Sequence, residues 1–286
     1  AISLCMDRAY LISTYLNGRG RPANMLIPPG VRGYDPDYRT PWGGYNPQQA
    51  RALLKAAGYS VSRNSSGEWV TCESPDGAPL ELSVEFRSAT QGTRDIARFY
   101  TICAQEIGIR LQCNLQTFPE FLRRAAEGKG QLYDANWTMD YPDAQNVFQL
   151  LYGPNRRPGV NYAAYRNDRY DRLYEELQVL SDSVPEEWQR KSEMIREMSA
   201  IVDEDVPWIY LYYNRLFVLY HDWCSPAKPL PMSTRAYRYV VSDPATRLEW
   251  VRHTNTMFRL PAVLFALLFV GIVAAFVYKI VEQQRG

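Results

Sequence analysis

Asn136-Trp137-Thr138-Met139-Asp140-Tyr141-Pro142-Asp143 follows a short apolar–polar run, Gln131-Leu-Tyr-Asp-Ala135, whose pattern reads as a strand. Pro142 fixes its own φ and pushes Tyr141 toward extended backbone, so the strand leaves into a turn. A strand ending here presents Trp137 and Asp140 at its C-terminal edge, where open α/β sheets hold ligands. An aromatic face beside a carboxylate suits a cation with an organic body, such as the amino end of a peptide. Trp137, Asp140 and Tyr141 are therefore the candidate ligand residues. The competing reading is a core tryptophan followed by a solvated turn aspartate.

The flanks set this strand in an α/β context. Upstream, 93–107 reads as a helix ended by Gly108, 109–115 alternates as a strand, and 118–127 reads as a helix with Gly128 beyond it. Further upstream, 68–72 and 80–86 read as a hairpin about Pro75-Asp76-Gly77. Asn46 and Pro47 open a helix that Gly58 stops, and 1–16 reads as a helix closed by Asn17-Gly18. Residues 18–47 form a long Gly-, Pro- and Tyr-containing connection. Downstream, 168–180 and 185–203 read as helices, 209–220 as a strand pair, and 221–258 as a turn-rich, basic linker. Helix and strand in alternation predict a βαβ-type α/β domain.

Composition narrows the chemistry. The 286 residues carry 32 basic and 31 acidic side chains, so no global field draws nucleic acid. The five cysteines, Cys5, Cys72, Cys103, Cys113 and Cys224, include no CxxC pair; buried free thiols are the reading preferred over zinc. His221 and His253 are the two histidines, and no GxSxG, HExxH, P-loop or GxGxxG occurs, which argues against an enzyme and for no cofactor. Asp140 and Asp143 could mimic a hydrolytic carboxylate pair, but Asp-Tyr-Pro-Asp is equally turn chemistry. Asp35, Asp37, Asp140 and Asp143 match no calcium loop, so no metal is expected.

The C-terminal region points to a membrane. Residues 260–278 are uncharged, and such a run reaches about 28 Å as a helix, close to the hydrocarbon thickness of a bilayer. Arg259 and Lys279 bracket it, and Tyr278 suits an interface. At the other end Ala1-Ile-Ser-Leu-Cys-Met-Asp-Arg8 starts an amphipathic pattern without a cap, and an upstream extension of the polypeptide is expected.

Taken in order, several pieces resemble the second half of the extracytoplasmic solute-binding proteins of peptide and nickel ABC importers, family 5. They are Ala1-Ile-Ser-Leu-Cys-Met-Asp-Arg8, Pro28-Pro29, and Tyr45-Asn-Pro-Gln-Gln-Ala-Arg-Ala-Leu-Leu-Lys-Ala-Ala-Gly-Tyr59. Asp76-Gly77, Glu106-Ile-Gly-Ile109, Asp140-Tyr-Pro-Asp143, Tyr170-Asp-Arg-Leu173 and Asp203-Glu-Asp-Val-Pro-Trp208 continue them to about residue 220. The resemblance implies a two-lobed, type II periplasmic-binding-protein fold that closes on an extended peptide. It also implies that Trp137 and Asp140 lie in the cleft, with the aspartate on the ligand's ammonium.

On that basis 1–206 is expected to be the α/β lobe and 207–240 returning strands of the other lobe. A linker at 241–258, a transmembrane helix at 259–280 and a short tail at 281–286 complete the division. The arginines of the 153–161 loop are read as serving a neighbour. The implied function is a receptor on the bacterial cytoplasmic membrane, with residues 1–258 extracytoplasmic, passing peptides to an ABC permease. The alternative is a binding fold reused as a structural subunit of a larger membrane complex.

Overall fold

The computed structural model describes residues 1–63, 67, 69–225 and 240–285, which form two units, Ala1–Phe217 and Val218–Gly286. In the first unit the elements run α1 (Ile2–Cys5), α2 (Arg8–Tyr10, continued by a π turn at Leu11–Tyr15), β1 (Gly20–Pro22) and α3 (Pro47–Ala56). Next come β2 (Ser60–Arg63), β3 (Trp69–Glu73), β4 (Glu81–Phe86), α4 (Gln91–Gln105), β5 (Arg110–Leu115), α5 (Phe118–Glu127) and β6 (Leu132–Asp134). α6 (Gln145–Phe148), α7 (Asp168–Leu177), α8 (Pro185–Asp205) and β7 (Tyr212–Asn214) complete it.

The site depends on a three-stranded sheet of order β5-β4-β6, parallel throughout. Parallel neighbours need crossovers, and α4 and α5 supply them. Thr90 caps α4, its hydroxyl accepting from Thr93 N–H at 3.3 Å. Gly108 turns the chain into β5 at φ +83°; a Cβ there would lie 2.8 Å from the Thr71 carbonyl, so only glycine fits. Gly128 ends α5 in the left-handed region. The core is Phe86 and Val84 of β4 against Phe99, Tyr100 and Cys103 of α4, with Ile107 and Ile109. Burial pushes the Cys103 thiol up to about 11 and that of Cys5 to about 12; both are free.

Two buried charges lock this core. Glu85, fully buried on β4, accepts two parallel hydrogen bonds from the Arg124 guanidinium of α5, each 2.8 Å. Asn114 and Gln116 donate to the same carboxylate at 2.9 and 2.8 Å. Burial pushes Glu85 up, but these four donors outweigh it and hold its carboxyl below the usual range. Arg8, 4% exposed, donates to the carbonyls of Ser3, Met6 and Tyr210, tying the N-terminal turns to the chain beyond α8.

Several expectations need correction. Residues 80–86 do not continue a hairpin along 68–72: β3 pairs with β2, the turn keeps a Glu73–Pro79 bridge and one bond from Leu80 N–H to the Cys72 carbonyl at 2.6 Å, and β4 is the central parallel strand. The Pro75-Asp76-Gly77 turn is real, but buried Val84, Glu85 and Phe86 need neighbours on both sides. The 1–16 helix is broken, because Asp7 restarts it by accepting from Tyr10 N–H. From 209–220 one strand emerges, β7, which pairs antiparallel with β1 rather than with a second strand of its own. Of the returning strands expected at 207–240, the part at 226–239 lies outside the described residues.

In the second unit β8 (Cys224–Ser225) pairs with β9 (Val241–Ser242), and α9 runs from Pro244 to Arg285. From Pro244 onward the expected linker at 241–258 and membrane helix at 259–280 thus form one helix, while Val241 and Ser242 are in β9. Asp243 starts it, accepting from Ala245 N–H at 2.9 Å and from the Thr246 hydroxyl at 2.6 Å, with Pro244 in the first turn. Its apolar part is long enough to cross a membrane by length and composition.

Removing the arginine leaves the buried Glu85 carboxylate without its charged partner, so Arg124→Met should lower stability at neutral pH. Glu85's folded pKa is depressed, so its contribution is present above the unfolded value and lost as pH falls through the folded one. The gap between wild type and Arg124→Met, read by urea unfolding, should therefore narrow below about pH 4.

Candidate functional site

β6 delivers the candidate turn. Asp134, its last residue, accepts from the Tyr100 hydroxyl at 2.7 Å, and burial pushes this carboxyl up despite that bond. The Arg87 guanidinium, one residue past β4, donates to the Asn136 side-chain oxygen. The chain then runs along the C-terminal edge of the parallel sheet, with no regular structure from Ala135 to Met139.

Asn146 organises the turn. Its side chain, on α6 and 1% exposed, accepts from the Trp137 indole N–H at 2.9 Å and from Asp140 N–H at 3.1 Å. Its amide nitrogen donates to Asp140 Oδ2 at 3.2 Å. One buried amide thus fixes the ring, the backbone and the carboxylate of the candidate pair. Met139 between them is buried, whereas Trp137 is 37% exposed, Tyr141 40% exposed, and Asp140 open to solvent. The Tyr141 hydroxyl accepts from Gln145 Nε2 at 3.0 Å. The structure therefore brings Trp137, Asp140 and Tyr141 onto one exposed turn, and the core-tryptophan alternative does not hold.

Asp143 plays another part. Its Oδ1 accepts from Gln145 N–H at 2.9 Å and its Oδ2 from Lys191 Nζ at 2.6 Å. Lys191, 3% exposed on α8, also donates to Asp182 Oδ1 at 2.7 Å. Burial pulls this ammonium down, but the two carboxylates prevail and raise it above its usual value. Tyr174 lies nearby, pushed up to about 12 by burial first and then by Tyr141, Tyr152 and Asp143. Asp140 and Asp143 thus do different things: one carboxylate faces solvent, the other is consumed internally.

The sequence reading missed Asn146 and Lys191. Each carried a signal: Asn146 sits among buried Ala144, Val147 and Phe148, and Lys191 heads the buried stripe Met194, Ile195, Met198 and Val202. A polar residue at a core position has to find a partner. The arginines of the 153–161 loop turn back on their own chain: Arg156 donates to the Gly153 carbonyl at 2.9 Å, and Arg157 lies over the Tyr133 ring at 5.9 Å. Among the described residues, no cluster of three His, Cys, Asp or Glu side chains assembles a metal site.

Asn146→Ala should lower stability by about 2 kcal/mol in denaturant unfolding, since it strips three hydrogen bonds from one buried position. Asn146→Asp keeps the acceptor but sets a second carboxyl against Asp140. Its pKa is raised in the folded state, so its cost should grow as pH rises above about 4.

Comparison with known proteins agrees with this architecture. Residues 1–159 match the family model for bacterial extracellular solute-binding proteins, family 5. The chain is similar to the oligopeptide-binding protein AppA of Bacillus subtilis, 23% identical over 74% of this chain and 37% of AppA. It is also similar to di/tripeptide-binding protein 2 of Pseudomonas aeruginosa, 25% identical over 85% of this chain and 42% of that relative. The solved structure of DppA from Helicobacter pylori, a periplasmic binding protein in complex with the peptide STSA, shares the fold. Its TM-score is 0.66 at 19% identity, over 84% of this chain and 43% of DppA. The chain spans about two fifths of the length of these relatives. It has the α/β architecture of one part of a type II periplasmic binding protein. With the family model matching 159 of its 286 residues, the chain belongs to the bacterial extracellular solute-binding proteins, family 5.

Proposed function

We propose that this chain is the ligand-facing lobe of a membrane-tethered extracytoplasmic receptor that captures peptides by their amino terminus for an ABC importer. The observation that carries this is the exposed Asp140 carboxylate beside the half-exposed Trp137 ring, both held by Asn146 at the C-terminal edge of a parallel sheet. A carboxylate with one oxygen already fixed is preorganised to accept from an ammonium, and the indole excludes water from one side. Tyr141 adds a hydroxyl and a ring at the same turn.

Capture of this kind needs no covalent chemistry. A second lobe closing over the bound peptide shifts an open–closed equilibrium, which a permease senses. Leu216 and Phe217, 80% and 71% exposed just after β7, offer apolar surface for such a lobe, supplied by the remainder of a longer protein. α9 serves as the tether and raises the receptor's local concentration at the membrane. The same exposed residues support the rival reading, a structural subunit docked on a membrane complex, in which Asp140 would bind nothing.

Asp140→Asn keeps the fold and removes the charge. It should weaken binding of a free-amino tripeptide about tenfold or more in calorimetric titration, while leaving the N-acetylated tripeptide unaffected. Equal affinity of wild type and variant for the free-amino peptide would remove Asp140 from the site, and no binding by either would favour the structural-subunit reading.

A further inference from the structure

An ammonium buried to 3% exposure is costly unless it is paired, and Lys191 is paired twice. Its carboxylate partners come from two places far apart in sequence. Asp143 closes the candidate turn, and Asp182 lies in the connection between α7 and α8. A fourth segment joins them: Arg32 donates to the Asp182 carbonyl at 2.6 Å, stacks its guanidinium 4.0 Å over the Trp188 ring, and forms a parallel bridge with Asp143. The candidate turn and the connection between α7 and α8 therefore meet at one ammonium on α8, and the 18–47 connection is tied to both through Arg32.

From there the bonds run directly to the ligand residues. Lys191 holds Asp143 Oδ2; Asp143 Oδ1 holds Gln145 N–H, and the Asp143 carbonyl accepts from Asn146 N–H at 3.0 Å. Asn146 in turn fixes Trp137 and Asp140. We propose that Lys191 is a positioning residue: through Asp143 it sets the first turn of α6, and so holds Asn146 where it orients Trp137 and Asp140. Asp182 accepts a second hydrogen bond from the same ammonium, but its carboxylate makes none of the bonds that lead to Asn146.

That asymmetry makes the role testable apart from stability. An ion pair that merely stabilised the fold would respond similarly to loss of either carboxylate. A positioning path responds to Asp143 and ignores Asp182. The effect on peptide affinity rests on the Asp140 reading above, whereas the order of the turn does not.

The readout is hydrogen exchange of the Trp137 indole N–H, followed by NMR in the 286-residue chain in detergent and assigned with Trp137→Phe. Asp143→Asn, which keeps the acceptor for Gln145, should speed this exchange on the order of tenfold, as should Lys191→Met. Asp182→Asn should leave it within about twofold of wild type. Should Lys191→Met fail to fold, the contrast between the two aspartates carries the test alone. Unchanged exchange in Asp143→Asn, or equal acceleration in both aspartate variants, would overturn the proposal. If Asp140→Asn binds peptide as wild type does while the contrast holds, the ligand reading fails and the positioning role stands.

Discussion

A buried carboxamide brings two donors and an acceptor with two lone pairs into a place without water, where the partners have to come from protein. Asn146 meets three of these four with the indole N–H, the backbone N–H and the carboxylate of the very residues that the exposed turn presents. The constraint runs both ways. Asn146 cannot be satisfied unless Trp137 and Asp140 are in place, and those residues cannot drift without stranding a buried amide. This explains how a stretch with no regular secondary structure keeps a defined shape at the edge of a sheet.

The surrounding lobe repeats that logic with charges. Glu85 on the central strand is held by Arg124, Asn114 and Gln116, which ties α5 and the end of β5 to β4. Lys191 sits between Asp143 and Asp182 beneath the candidate turn. Arg8, buried with carbonyls in place of carboxylates, ties the N-terminal turns to the strand region after α8. Each charge joins segments far apart in sequence, so the polar interactions specify which segments meet while the aromatic core supplies the cohesion.

Much of the helical structure was legible in the sequence because its punctuation is local. Asn46-Pro47 starts α3, Gly128 ends α5, and Pro185 with Glu186 and Glu187 starts α8. Strand partners were less legible, since pairing is decided by burial on both sides of the strand; 80–86 carries turn residues before it, yet joins β5 and β6 in parallel. The break at Asp7 and the extension of α9 back to Pro244 each turned on a single capping aspartate. At the site, Trp137, Asp140 and Tyr141 could be singled out as an aromatic–carboxylate turn. Asn146 and Lys191 could not be assigned their contacts, because those depend on helices packing from elsewhere.

The role of the Trp137–Asp140 turn rests on whether it receives an amino group. The most direct measurement follows the Trp137 indole N–H signal while the chain is titrated with a free-amino tripeptide and, separately, with its N-acetylated form. A saturable shift is expected with the free amine and little with the acetylated peptide, because the carboxylate meets a cation in only one of them. Equal shifts with both peptides, or none with either, would contradict it.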